Sequence, residues 1–346
     1  MLKFSCLALA CSVLLGAPAA HAGRFTFTIL DVPGQLGTYA LGLNNRGDVV
    51  GVSGSGAGQA NFIWSHGVFS HAPAYGGHSV TQLNAINDRG TAVGFSVGAY
   101  GSNETAIGYA YDLHTGVTTP ISVVPGYTMF PTGINATGTV AGNAYIFDGR
   151  QYQSYGFVAH GSTAKLLAPP NGKRSTLVSA INDAGRVVGE YGASRNLGFT
   201  GLGREYAAVN PPGSVGTAVT FVSPGGIVGG LYYDASYGTH GFTWDGSTYT
   251  VYGGTGDAAP ATVGVGPQGQ VFGNTNIYAA DSGAGSGFVV VGGKTYPIAV
   301  SSDPATATVI NAVNANGDLV GTYRDANAIT HGFIATCPPR HSPCTR

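Results

Sequence analysis

Charge is what this chain has least of. Asp, Glu, Lys and Arg make up 9% of its 346 residues, against roughly 25% in an average globular protein. There are 15 basic and 16 acidic residues, with only three Glu and four Lys. No run or patch of basic residues exists, so the electrostatic footprint of a nucleic-acid binder is missing. Low charge does not mean disorder here, because 43% of the residues are hydrophobic and aromatics are spread along the chain. Long apolar runs are also missing beyond the first residues, and no later stretch could cross a bilayer. Cysteine is scarce, with four in all, and two of these, Cys337 and Cys344, fall in the last ten residues. What the chain does hold is 57 Gly and an abundance of Val, Thr, Tyr and Phe. That is the composition of strands and turns, with almost no helix.

The start reads MLKFSCLALACSVLLGAPAAHAG. Lys3, the apolar stretch from Phe4 to Leu15 and the small-x-small Ala20-His21-Ala22 predict a signal peptide over residues 1–22. A lipoprotein reading through Cys11 would cut that apolar core in half. Loss of Lys3 with the leader leaves a net charge of about −2. The expected compartment is secreted or periplasmic, with surface attachment left open. There Cys337 and Cys344 are expected to form one local disulfide in the 337–346 tail. Its short loop is worth about 2.5 kcal/mol in the chain-entropy account. A metal site from Cys337, His341 and Cys344 would have only three ligands and no partner pair, so no metal or other cofactor is expected.

The rest of the chain repeats one phrase: apolar-Asn-x-x-Gly-x-apolar-apolar-Gly, as in INDRGTAVG (Ile86–Gly94) and INDAGRVVG (Ile181–Gly189). Seven copies close on Gly51, Gly94, Gly142, Gly189, Gly229, Gly273 and Gly321. The turn glycine lies four residues earlier in each: Gly47, Gly90, Gly138, Gly185, Gly225, Gly269 and Gly317. A period in the forties built only of strand signals predicts a four-stranded unit repeated around an axis. Asn first and Gly fourth suits a type I turn with a following bulge, so Asn44, Asn87, Asn135, Asn182 and Asn314 read as structural. Copies five and six carry Val222 and Gly266 there, with Pro224 and Pro267 stiffening the turn.

Residue size follows a wedge. Two positions before the Asn stand Gly42, Ala85, Gly133, Ala180, Thr220, Gly264 and Ala312; in the third strand stand Phe62, Tyr109, Phe157, Phe199, Phe242, Phe288 and Phe333. Radial sheets crowd at the axis and spread outward, which is the gradient a propeller needs. The last copy lacks its fourth strand, while an orphan strand (Arg24–Leu30) opens the mature chain. The expected fold is therefore an all-β, seven-bladed β-propeller over residues 23–336, closed by the N-terminal strand, and monomeric.

The repeated IN..G.VVG followed by Gly-Phe resembles the HAF-type repeats of bacterial extracellular proteins, from about Leu41 to Thr336. Where those repeats read His-Ala-Phe, this chain has His240-Gly241-Phe242 and His331-Gly332-Phe333. The resemblance implies secretion and architecture; it brings no chemistry with it.

Scaffolds carry function on long, variable loops. The longest connections between second and third strands are in copies two, three and six. They bring Tyr100, Asn103, Glu104, Tyr145, Asp148, Arg150, Tyr152, Tyr155, Tyr278 and Asp281 to one face as candidate ligand contacts. Tyr gives flat contact area with a polar tip, suited to sugars or protein loops. Asp148-Gly149 also reads as the turn of an extra hairpin, which makes Asp148 structural. No nucleophile elbow, phosphate loop or His-x-x-x-His pair is present, and no catalytic residue is assigned. The leading reading is a secreted, non-catalytic propeller binding a glycan or extracellular protein. The alternatives are a carbohydrate-active hydrolase or lyase using Glu104, Asp148, Asp281 or Asp325, and a structural surface protein.

Overall fold

The computed structural model describes residues 25–98, 106–121, 126–161, 163–167, 175–192, 196–253, 260–276, 285–303 and 306–336. Residues 1–22, expected to be a signal peptide, and Cys337 and Cys344 lie outside them. Seven antiparallel four-stranded sheets make up the described residues, a seven-bladed β-propeller. Strands a to d of each blade follow in chain order, and each strand a packs against the next blade, with blade seven meeting blade one. Blade one spans 38–70, blade two 80–121, blade three 128–166, blade four 176–209, blade five 216–252 and blade six 261–298. Blade seven holds Ala307–Val313, Leu319–Arg324 and Thr330–Thr336, and its outer strand is Thr26–Leu30 from the opposite end of the chain. That strand runs from Thr26 beside Thr336 to Leu30 beside Gly332, the closure expected from the sequence. No helix among the described residues is long and apolar enough to cross a membrane.

Every strand a carries a β-bulge at the same place, and this accounts for the closing glycine. The extra residues are Leu41, Asn84, Thr132, Ser179, Thr220, Val263 and Asn311. A bulge turns the strand's backbone toward its partner. At the partner position a Cβ on Gly51 would collide with the Tyr39 carbonyl oxygen, and one on Gly94 with that of Gln82. Only glycine fits.

The wedge holds in six blades. The large strand-c rings, from Phe62 to Phe333, are all buried, and each packs in a cluster of apolar side chains. Near the axis a Cβ on Gly42 would sit 2.7 Å from the Asn84 carbonyl oxygen, so little bulk is admitted there. Blade five departs, and its sequence register needs correcting by one residue. The bulge lies between Val219 and Phe221, the glycine with positive φ is Gly226 rather than Gly225, and the closing glycine is Gly230, beside Phe242. The turn position therefore holds Ser223 instead of Val222, and the inner small position holds Phe221 instead of Thr220. Phe221 fits because the next strand offers Gly229 where other blades have Val50, Val93 or Val188; a Cβ on Gly229 would lie 2.6 Å from the Phe221 ring.

The repeated Asn does more than shape its own turn. Asn182 Oδ1 accepts the Arg186 N–H at 2.9 Å, while Nδ2 donates to the Ser223 carbonyl of the next blade at 3.0 Å. Asn314 donates to Asn44 O, Asn44 to Asn87 O, Asn87 to Asn135 O and Asn135 to Asn182 O. A girdle of side-chain bonds thus runs from blade seven through blade one to blade five. Bulge residues form a second tier: Asn84, Thr132, Thr220 and Asn311 donate to Pro131, Val178, Thr262 and Ala40 carbonyls of the following blade.

Candidate functional site

The blade-three connection expected as a loop is regular strand. Val140–Phe147 and Tyr152–His160 are eight and nine residues long, and stay paired to Phe147 beside Tyr152. Their hairpin stands above the long-loop face. Asp148 makes its turn: the carboxylate accepts the N–H groups of Arg150 and Gln151, both at 2.9 Å, and the Gln153 amide at 2.9 Å. Asp148 is committed to structure, as its Asp-Gly pair suggested. Arg150 is exposed at the tip.

Side chains alternate across a strand. Tyr145, Phe147 and the cross-strand Tyr152 therefore share the face toward blade four, where Asn143 of the same row grips Val178 through both its N–H and its carbonyl. Phe147 and Tyr152 are 55% and 74% exposed, with ring centroids 5.2 Å apart. Deeper in, Tyr145 meets Phe130 at 5.6 Å and Phe130 meets Phe95 at 4.8 Å, both edge-on. Tyr155 falls on the opposite face, against Tyr127 at 6.0 Å. The result is an aromatic stripe from the axial mouth (Phe95, Phe130, Tyr145) to the hairpin tip (Phe147, Tyr152). Of the other candidates, Tyr100, Asn103, Glu104, Tyr278 and Asp281 lie outside the described residues.

One half-buried charged residue escaped the sequence reading. Glu190 follows the closing Gly189, where blades two and three have Phe95 and Asn143 and blade six has Asn274. It is the only charged side chain at that position of the repeat, a signal available from the alignment. Burial pushes its carboxyl above the usual range, opposed by a hydrogen bond from Asn196. Burial and then the Glu190 charge raise the Tyr145 phenol, so the two groups are electrostatic neighbours.

The histidines of the two His-Gly-Phe segments are held in structural contacts. His240 Nε2 is 2.8 Å from Asp234 Oδ2 and stacks on Tyr232. His331 Nδ1 is 2.8 Å from Asp31 Oδ1, stacks on Tyr323 and so ties the N-terminal strand to blade seven. Asn135-Ala136-Thr137 matches the N-glycosylation pattern, but Asn135 is buried with both side-chain ends bonded, which removes it as a glycan acceptor. Among the described residues no group of three metal-ligating side chains occurs.

No family model matches this chain, and no curated protein matches it in sequence. Solved structures do match in fold. A prolyl endopeptidase superposes with TM-score 0.54 at 14% identity, over 85% of this chain and 47% of that one. TolB from Acinetobacter baumannii gives 0.44 at 14% identity, over 82% of this chain and 66% of that one. A Trypanosoma rangeli sialidase gives 0.38 at 9%, over 79% and 56%. The chain spans about half the length of the prolyl endopeptidase. At these identities the likeness is one of propeller fold alone.

Proposed function

We propose that this protein is a secreted, non-catalytic propeller that binds a glycan on its long-loop face, along the stripe from Phe95 to Tyr152. The observation that carries this reading is the Phe147–Tyr152 pair, held out in solvent on a hairpin whose turn Asp148 has fixed. Exposed aromatics cost solvation unless a partner covers them, and a rigid mount loses little entropy when one does. Flat rings with a phenolic tip suit the apolar face and hydroxyls of a sugar. Secretion rests on the leader pattern of residues 1–22 and the HAF-like repeats. A hydrolase would need two carboxyl groups across a cleft, and those of Asp148 and Asp325 are spent on their own turns.

Glycan-array binding of the mature protein tests the proposal. Tyr152→Ala and Phe147→Ala are each expected to weaken a bound glycan about tenfold, or about 1.4 kcal/mol, with the melting temperature unchanged. Binding that survives removal of residues 146–153, or that maps to the short-turn face near Ser65 and Trp244, would place the site elsewhere.

A further inference from the structure

We propose that Tyr237 is a second aromatic contact of this site, and that the ligand is an extended, uncharged, β-1,4-linked glycan that crosses blade four. The inference rests on the glycan-binding reading above and adds the ligand's length and shape. Tyr237 lies between strands b and c of blade five, Val228–Tyr233 and Thr239–Trp244, on the same face as the blade-three hairpin. It is 77% exposed. Its φ is 62°, in the left-handed region that glycine enters at no steric cost and other residues do not.

Blade seven supplies an internal control for that residue. Blade five reads DASYGTHGF (Asp234–Phe242) and blade seven reads DANAITHGF (Asp325–Phe333). The two turns are built alike. Asp234 Oδ1 accepts the Ser236 and Gly238 N–H groups at 2.8 and 2.9 Å, and Asp325 Oδ1 accepts those of Asn327 and Ile329 at 2.9 and 2.8 Å. In each, the residue with positive φ donates to the Asp carbonyl, Tyr237 at 2.9 Å and Ala328 at 3.0 Å. Ala328 has φ 66°. His240 stacks on Tyr232 at 4.9 Å, as His331 does on Tyr323 at 4.8 Å. A methyl group therefore serves this backbone in blade seven, and the turn gives no reason for a phenol ring in blade five. Packing gives none either, since the side chain stands in solvent. Backbone strain kept at a residue that neither turn nor core requires marks a ligand contact.

Two aromatic posts then flank blade four. Phe147 and Tyr152 face it from blade three, and Tyr237 stands beyond it on blade five. Both are mounted on turns fixed by an Asp, so little entropy is lost when a ligand covers them. A ligand that meets both must be a chain. A β-1,4-linked run of pyranose rings with equatorial hydroxyls is a straight ribbon with apolar faces along its length, the shape that separated stacking rings accept. The carboxylates beside the posts are engaged: Asp148 by the Arg150 and Gln151 N–H groups, Asp234 by its turn and by His240. That setting suits an uncharged chain, read by ring stacking.

The test compares cellobiose with cellohexaose by calorimetry. Wild type is expected to bind the hexamer about tenfold more tightly, because a second contact on one chain adds avidity. Tyr237→Ala, the residue blade seven carries at this turn position, should remove most of that gain and leave cellobiose binding unchanged. Tyr237→Phe should keep it. Tyr237→Gly should lose the gain without melting lower, since glycine relieves the strained φ. A lower melting temperature for Tyr237→Gly or Tyr237→Ala would make the ring part of the fold and overturn the inference. Hexamer affinity untouched by Tyr237→Ala would overturn it, as would a wild type that binds both oligomers equally or neither. The glycan reading is judged separately, by Phe147→Ala and Tyr152→Ala on the glycan array. If those variants weaken a bound glycan while Tyr237→Ala does not, that reading stands without Tyr237. If the array gives no signal for wild type, both fall.

Discussion

Asn182 shows how much one side chain does in this ring. It closes its own turn through Arg186 N and reaches the next blade through Ser223 O, and it is buried. Asn182→Ala leaves one donor and one acceptor without partners, at about 2 kcal/mol by the usual cost of such groups. The melting temperature should fall while binding at the proposed aromatic stripe is unchanged; the reverse pattern would put the girdle in the site. Half of this role was legible in the sequence, because Asn-x-x-Gly specifies a turn by local bonds alone. The other half was not, since the acceptor Ser223 is 41 residues away and adjacent only once the ring forms. Glu190 was missed for a related reason. Nothing in its neighbours Gly189 and Tyr191 marks it as desolvated, and its setting comes from blades three and five.

At the scale of the strand, blade five shows why spacing alone misplaced a residue. Gly229-Gly230 offers two closing glycines, and Pro224-Gly225-Gly226 two turn glycines. The choice is made by packing, because Phe221 needs Gly229 as its cavity. Phe221→Ala is expected to cost about 3–5 kcal/mol. Gly229→Ala should be costly alone and less so in the Phe221→Ala background, with a coupling of about 1 kcal/mol or more in a double-mutant cycle of melting curves. Strict additivity would refute the compensation. The other blades were legible because their turn chemistry, closing glycine and strand-c aromatic all agree. The blade-three hairpin was only half so, since YIFDGRQY reads as loop or strand until its cross-strand rings are seen to pair.

Turns also carry the acid response. Asp234 is held below its ordinary range by His240 and then by the Gly238 and Ser236 N–H groups, and Asp325 by the Ile329 N–H. Burial raises Asp48, but Ser65, Asn44 and Arg46 outweigh it and its carboxyl is also lowered. For a depressed carboxyl, the stabilisation is present above the unfolded value near 3.8 and disappears as pH falls through the folded one. Stability should therefore drop below about pH 4. Asp325→Asn, which keeps the turn's acceptor oxygen, should flatten part of that drop in pH-dependent melts. A variant with the wild-type acid profile would remove Asp325 from the account.

The whole ring depends on a strand borrowed from the far end of the chain. Thr26–Leu30 covers the outer edge of blade seven, Phe27 meets Phe333 at 5.6 Å, and Leu30 is 1% exposed in a cluster with Phe62 and Ile334. His331 fastens the same junction through Asp31. Without this strand the blade would present the unpaired edge of Thr330–Thr336, a template for intermolecular pairing, and the Phe333 ring would lose its outer cover. A chain beginning after Leu30 is expected to melt well below the full protein, by several kcal/mol on burying Leu30 and Phe27 alone. It should also self-associate with rising concentration in ultracentrifugation. A synthetic peptide of residues 24–33 supplied in trans should fill the vacant edge, raise the melting temperature and reverse the added self-association. Blades one to six contain all four of their own strands, so their turns should keep native-like exchange protection in the truncated chain while blade seven loses it. If the truncated chain melts like the full one, or the peptide has no effect, the N-terminal strand only decorates an already closed ring.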